Sequence, residues 1–166
     1  MARPSFADAW SASLRIYDPA DPAAKVAEVV GGYVEKNINH SDPNQRWSNT
    51  CAVRMSYILN ETGVRIPRIR GKTVSGEDKR QYFFRVRDLI VFLKGQWGPP
   101  EVVEYPPEDG GVLAGKKGLI LFEISGWSDA LGHASLYNGE LCYDNCYFND
   151  PMANYRTERA NFWEMT

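Results

Sequence analysis

The sequence predicts an α+β fold in which helices come first and an antiparallel sheet comes last. Apolar residues recur at helical spacing at several places before Gly98, and from Gly118 onward the period shortens to that of a strand. Length adds a bound: 166 residues, 43% of them hydrophobic, fill one core and are too few for two ordinary domains. Residues 1–166 are therefore expected to form a single domain.

Taken in order, Ser5 is placed to cap a short helix in which Phe6, Trp10, Leu14 and Tyr17 share a face toward the core, ending before Asp18-Pro19. Asp21 then caps a second helix with Pro22 in its first turn, and Val26, Val29, Val30, Tyr33 and Val34 follow the i, i+3, i+4, i+7, i+8 pattern. Gly31-Gly32 lies inside that pattern. Each glycine costs a helix about 1 kcal/mol relative to alanine, so the pair implies close approach of another helix. Residues 37–45 read as a polar loop, with His40 a solvated loop histidine.

Residues 47–63 read as one central helix with Cys51 in its first turn. Ser48, Asn49 and Thr50 carry oxygens that cap free backbone N–H groups, and Gly63 suits the left-handed residue past a helix end. Ala52, Met55, Ile58 and Leu59 form its apolar face. Unpaired N–H groups and the positive end of the helix dipole favour an anion at Cys51, so its thiol pKa is expected below the free value of about 8.5.

Beyond Gly63, residues 64–72 alternate apolar and basic side chains around Pro67, an irregular or edge strand at most. The arginines read as a solvated face: no aromatic platform accompanies them and the net charge of the chain is -2, which argues against nucleic acid as a partner. Residues 73–80 read as a polar loop. From Tyr82 onward, Val86, Leu89, Ile90 and Leu93 mark an amphipathic helix stopped by Gly95. The Pro- and Gly-rich passage over residues 98–111 is expected to hold little regular structure, as the wall of a cleft or as an ordinary connection. Residues 118–125 are a nearly continuous apolar run, a central strand buried on both faces. The aromatic-rich tail with Phe148, Tyr155, Phe162 and Trp163 is expected to pack back on the domain. No apolar run is long enough for a membrane span, and no apolar signal-peptide core follows the N-terminus, so the chain is expected to be made in the cytoplasm without a Sec-type address.

Asn138-Gly139 between two alternating segments predicts a β-hairpin. As a two-residue turn it pairs Tyr137 with Glu140 and, continuing, His133 with Asp144. A carboxylate directly across a strand pair, with Cβ atoms about 4.5–5.5 Å away, can accept the imidazole Nδ1 proton and leave Nε2 as an outward base. A helix-terminal cysteine, a histidine and its carboxylate make a complete set for thiol acyl transfer. Cys51, His133 and Asp144 are the expected catalytic residues, with the Cys51 backbone N–H as an oxyanion donor. Trp47 and Asn49, just before the nucleophile, are candidate substrate-binding residues, with core packing the alternative for Trp47. The order Cys, His, Asp, with the cysteine opening a helix and the histidine opening a hairpin, is papain-like.

Three blocks now carry a resemblance: Asn49-Thr50-Cys51-Ala52-Val53-Arg54-Met55-Ser56-Tyr57, Gly132-His133-Ala134-Ser135-Leu136-Tyr137, and Leu141-Cys142-Tyr143-Asp144-Asn145-Cys146-Tyr147-Phe148. With Arg3-Pro4-Ser5-Phe6 and Gly31-Gly32, the sequence resembles the fourth family of type VI secretion amidase effectors, papain-like enzymes of the NlpC type. Residues 64–80 and 98–115 carry little of the likeness. The resemblance implies a papain-like fold, the triad Cys51, His133 and Asp144, and a peptidoglycan substrate cut at the γ-D-glutamyl-meso-diaminopimelate amide of the stem peptide. It further implies a Gram-negative source, delivery by the type VI secretion apparatus into a neighbouring cell's periplasm, and a cognate immunity protein. No metal or organic cofactor is called for.

Cys142 and Cys146 form a close pair that leaves Cys51 unpaired, and a disulfide between them is expected. A regular strand would hold them about 13 Å apart at roughly 3.3 Å per residue. Bond formation needs Cα atoms within about 7 Å, so it requires the chain to turn after Asp144. Two reduced thiols are the alternative. Rival functions are a thiol acyltransferase or protease with another substrate, and a metal-binding module using Cys142, Cys146 and His133.

Overall fold

Ser5 opens the first helix as expected: its Oγ accepts the N–H of Asp8 at 3.1 Å, and α1 (Phe6–Ile16) follows. The protein, seen here as a computed structural model, is described over residues 2–126 and 132–166. The buried face of α1 is Phe6, Ala9, Ala12, Ser13 and Ile16, whereas Leu14 is 64% exposed and Trp10 is half-buried. Small residues win that face because α1 lies against the central helix, and short side chains let two helix backbones approach.

Asp21 caps α2 (Pro22–Val30) through Oδ1 and the N–H of Ala24 at 3.1 Å. The expected continuous helix breaks at Gly31, whose φ of +64° only glycine adopts without strain, and α3 (Gly32–Ile38) restarts in a new direction. The glycines serve a close approach, but to a loop: a Cβ on Gly32 would lie 2.5 Å from the backbone of Gly76. A hydrogen bond from Glu77 N–H to the Val30 carbonyl closes that contact.

The central helix α4 (Cys51–Glu61) is buried on every side from Cys51 to Leu59, including Arg54, Ser56 and Tyr57. The helix is therefore not amphipathic as expected: its polar residues are matched by partners rather than by water. Ser56 Oγ, for instance, accepts the N–H of Phe83 at 2.9 Å.

Residues 73–80, read as a loop, hold β1 (Thr73–Ser75), which pairs with β2 (Gln81–Phe83) in a short hairpin. Three residues are too few to display a period of two. Helix α5 (Val86–Trp97) starts four residues past Tyr82 and runs through Gly95 to Gly98, whose φ of +79° lets its N–H reach the Lys94 carbonyl.

The main sheet is antiparallel in the order β3-β6-β4-β5, with β3 (Glu101–Glu104), β4 (Gly118–Ser125), β5 (Gly132–Tyr137) and β6 (Arg156–Glu164). Strand β4 has the bounds and the two-sided burial expected. Leu119 and Leu121 join Ala134, Leu136 and Trp163 against the helices, while Ile120, Phe122 and Ile124 pack with Phe148 and Phe162 on the other face. Strand β6 has no counterpart in the sequence reading. Its buried Thr157 and Asn161 disguise it, and both are satisfied internally: Asn161 Nδ2 donates to the Leu121 carbonyl and to Glu123 Oε2. The passage over residues 98–111 supplies β3, the edge of the sheet remote from β5, and then returns so that Gly110 lies beside Tyr137 at the end of β5. Among the described residues no helix is long and apolar enough to cross a membrane.

Candidate active site

Cys51 begins α4, where its backbone N–H is held by Asn49 Oδ1 at 3.1 Å. Thr50 is the N-cap but makes no side-chain cap; Asn49, one residue earlier, takes the Cys51 N–H instead, so the N–H expected as an oxyanion donor already has a partner. The sulfur is not at the surface: Cys51 is 1% exposed. It lies against β5, the outermost strand of the sheet on that side, with His133 and the Ala134 backbone as its neighbours. Burial pushes the thiol up, but the His133 hydrogen bond and charge, the Ala134 N–H and the Arg54 charge together hold it below its ordinary value.

His133 and Asp144 meet, although by a different register from the one expected. The turn spans Asn138 to Leu141, because Asn138 Oδ1 accepts both Glu140 and Leu141 N–H groups and closes a wider loop. Tyr137 therefore bridges to Cys142 and Tyr143 N–H bonds the Leu136 carbonyl, which sets Asp144 opposite Ser135. Ser135 Oγ donates to Asp144 Oδ1 at 2.6 Å. The other oxygen, Oδ2, lies 2.9 Å from His133 Nε2, an ion-pair contact without hydrogen-bond alignment. The ring is thus turned over relative to expectation: Nε2 faces the carboxylate and Nδ1 is left for the thiol.

Arg54, which sequence reasoning passed over, is one turn beyond Cys51 on α4. Its guanidinium donates to Thr50 Oγ1 at 2.9 Å, Tyr143 Oη at 3.1 Å and Asp144 Oδ2 at 2.9 Å. Periodicity alone gives α4 one wet face, on which an arginine carries no signal; its burial marks it. Burial alone would raise the Asp144 pKa, yet His133, Arg54 and Ser135 hold it at about 2. Burial likewise depresses His133, but Asp144 and Cys51 raise it to about 9. At neutral pH these directions favour a thiolate–imidazolium pair beside an ionised Asp144. The Tyr147 ring meets His133 edge-on at 4.7 Å between centroids.

Trp47 is half-buried and stacks on Phe84 at 5.0 Å, and Arg85 lies over the far ring at 5.0 Å. Cys142 and Cys146 are bonded with Cα atoms 5.2 Å apart, so the chain does leave extended geometry around Asp144. That bond takes both sulfurs from the metal-binding alternative. Cys51 is the free thiol.

Residues 47–163 match the family model described as type VI secretion system (T6SS), amidase effector protein 4. The effector Tae4 from Salmonella typhimurium, solved in complex with the immunity Tai4 from Enterobacter cloacae, is 37% identical with a TM-score of 0.85. The match covers 99% of this chain and 100% of that one. Tae4 from Enterobacter cloacae is 35% identical at a TM-score of 0.85, covering 99% of this chain and 98% of that one. Among curated proteins no sequence matches. The helix-borne thiol against an antiparallel sheet is the papain-like architecture of the NlpC type, and the chain belongs to the type VI secretion amidase effector 4 (Tae4) family.

Proposed function

We propose that this chain is an antibacterial cysteine amidase that cuts the γ-D-glutamyl-meso-diaminopimelate bond of peptidoglycan stem peptides. The observation that carries the reading is the chain of contacts from Cys51 through His133 to Asp144. The Cys51 thiolate attacks the amide carbon, the His133 imidazolium gives its proton to the leaving amine, and Asp144 holds the charged ring. Neutral His133 then takes a proton from the water that hydrolyses the thioester. An oxyanion at this site competes with Asn49 for the Cys51 N–H. No step calls on a metal or organic cofactor.

Membership in an amidase effector family supports delivery by a type VI secretion system into a target cell's periplasm. The two chains solved together, Tae4 and Tai4, support a cognate immunity protein as inhibitor. The single domain over residues 1–166 is part of the same proposal. Digestion of purified Gram-negative sacculi, followed by mass analysis of the fragments, tests it: new termini between D-glutamate and meso-diaminopimelate are expected from the native enzyme and none from Cys51→Ala. Cleavage at another bond would reassign the substrate.

A further inference from the structure

The basic segment after α4 is not absorbed by the catalytic site. Between residues 65 and 80 stand Arg65, Arg68, Arg70, Lys72, Lys79 and Arg80 against Glu77 and Asp78, a net +4; with the whole chain at -2, the remainder carries -6. Four of these cations, Arg65, Arg68, Lys79 and Arg80, line a cavity of about 460 Å³ formed by Asn60, residues 63–68 and residues 79–81. Val64 and Ile66 turn inward and are 3% and 4% exposed, which turns Arg65 and Arg68 out to solvent. The hairpin supplies the opposite wall, pinned by Asn60 Nδ2 on the Gln81 carbonyl at 3.0 Å. Arg80 is engaged by Glu61 at 2.8 Å. Among the described residues, Arg65, Arg68 and Lys79 are in no ion pair with a carboxylate within 4.0 Å.

We propose that this cavity is a second, non-catalytic binding site for the carboxylates of the wall polymer, and in this it rests on the function proposed above. One observation separates the site from the thiol and two narrow the ligand class. Asn60 is nine residues beyond Cys51, about 13 Å along the helix axis at 1.5 Å per residue, so a ligand here leaves the thiol free. The lining holds no aromatic ring on which bases could stack, which disfavours nucleic acid. None of the large exposed apolar residues falls between 63 and 81, which disfavours insertion into a lipid surface. A repeating polycarboxylate suits unpaired cations that are individually weak and salt-screened, because repeated rebinding multiplies small contributions. The site would retain the enzyme on insoluble wall while the thiol works through neighbouring stems.

The test uses the full chain carrying Cys51→Ala, which binds wall without degrading it, with and without Arg65→Glu/Arg68→Glu. Retention on purified sacculi is expected at low ionic strength, to vanish in high salt, and to fall roughly fivefold or more with the double substitution. In the active enzyme the same pair should raise KM for sacculi by a similar factor and leave kcat/KM on a soluble stem-peptide fragment unchanged. Unchanged retention overturns the proposal. So does equal loss on the soluble fragment, or tighter binding to single-stranded DNA or phosphatidylglycerol vesicles than to sacculi. If charge reversal prevents folding, Arg65→Gln/Arg68→Gln carries the same comparison. Failure of the native enzyme to cut the soluble fragment would instead sink the proposed function, since retention of the C51A protein reads the cavity without any hydrolysis.

Discussion

Arg54 Nη2 lies 2.9 Å from Asp144 Oδ2, so the helix that carries Cys51 also grips the carboxylate that faces His133. Both partners are almost fully buried. Removing the guanidinium leaves Asp144 without its permanent cation and loosens three contacts at once. Arg54→Met should destabilise the fold by about 3–5 kcal/mol, the usual cost of breaking a buried ion pair. Its alkylation by iodoacetamide should also shift to higher pH, because one of the charges that holds the Cys51 thiol down is gone. Arg54→Lys should recover part of that shift and less of the stability. An alkylation curve identical to the native one would confine Arg54 to a structural role.

Cys51→Ala should abolish wall hydrolysis and keep the fold. The sulfur is buried, but its loss opens only a small void at the end of α4, at about 1 kcal/mol. Thermal unfolding and sacculus turbidity on one preparation check both halves. Residual cleavage would remove Cys51 as nucleophile.

Asp144→Asn should lower turnover by orders of magnitude, because a neutral amide does not stabilise imidazolium. It should also cost more stability than a surface change, since Arg54 then lacks its counter-ion. Near-native kcat in a folded variant would take Asp144 out of the mechanism.

The dependence on pH follows from the two shifted partners. His133 at about 9 must stay protonated to serve the leaving amine, so kcat/KM should fall on an alkaline limb near 9, and the depressed thiol should set the acid limb below the ordinary thiol range. Asp144 and His133 also act on stability. Asp144, lowered to about 2, contributes stability present above about pH 4 and lost as pH falls through 2. His133, raised to about 9, contributes stability present below about pH 6.5 and lost as pH rises through 9. Melting temperature measured across that range should be highest between the two windows.

The Cys142–Cys146 bond closes a small ring around Asp144. On the chain-entropy estimate it contributes at most about 2 kcal/mol, so its larger effect is expected on the placement of Asp144. Thiol titration in denaturant should find one free cysteine before reduction and three after, with melting temperature and hydrolysis rate both falling. An unchanged rate after reduction would restrict the bond to stability.

Local chemistry made much of this protein legible. Ser5, Asp21 and Pro22 announced helix starts because a cap is decided within three residues of itself. Cys51 at the head of α4 and β4 over residues 118–125 were readable because caps and apolar runs are contiguous in sequence. The cysteine, histidine and aspartate were legible as residue types, and their family blocks as strings.

Tertiary structure decided what depends on partners far along the chain. Strand β6 is recognisable only when β3 and β4 close on it, with β4 satisfying Asn161 and the segment at Tyr147 and Asn149 satisfying Thr157. The hairpin register moved by two residues because the Asn138 side chain preferred two N–H groups to a tight turn, and a shift of two keeps every side chain on its face. That parity is why Asp144 still reaches His133, from beside it rather than across from it. Arg54 could be assigned only once α4 was seen to be enclosed on all sides, since a buried charge is defined by what surrounds it and not by its neighbours in sequence.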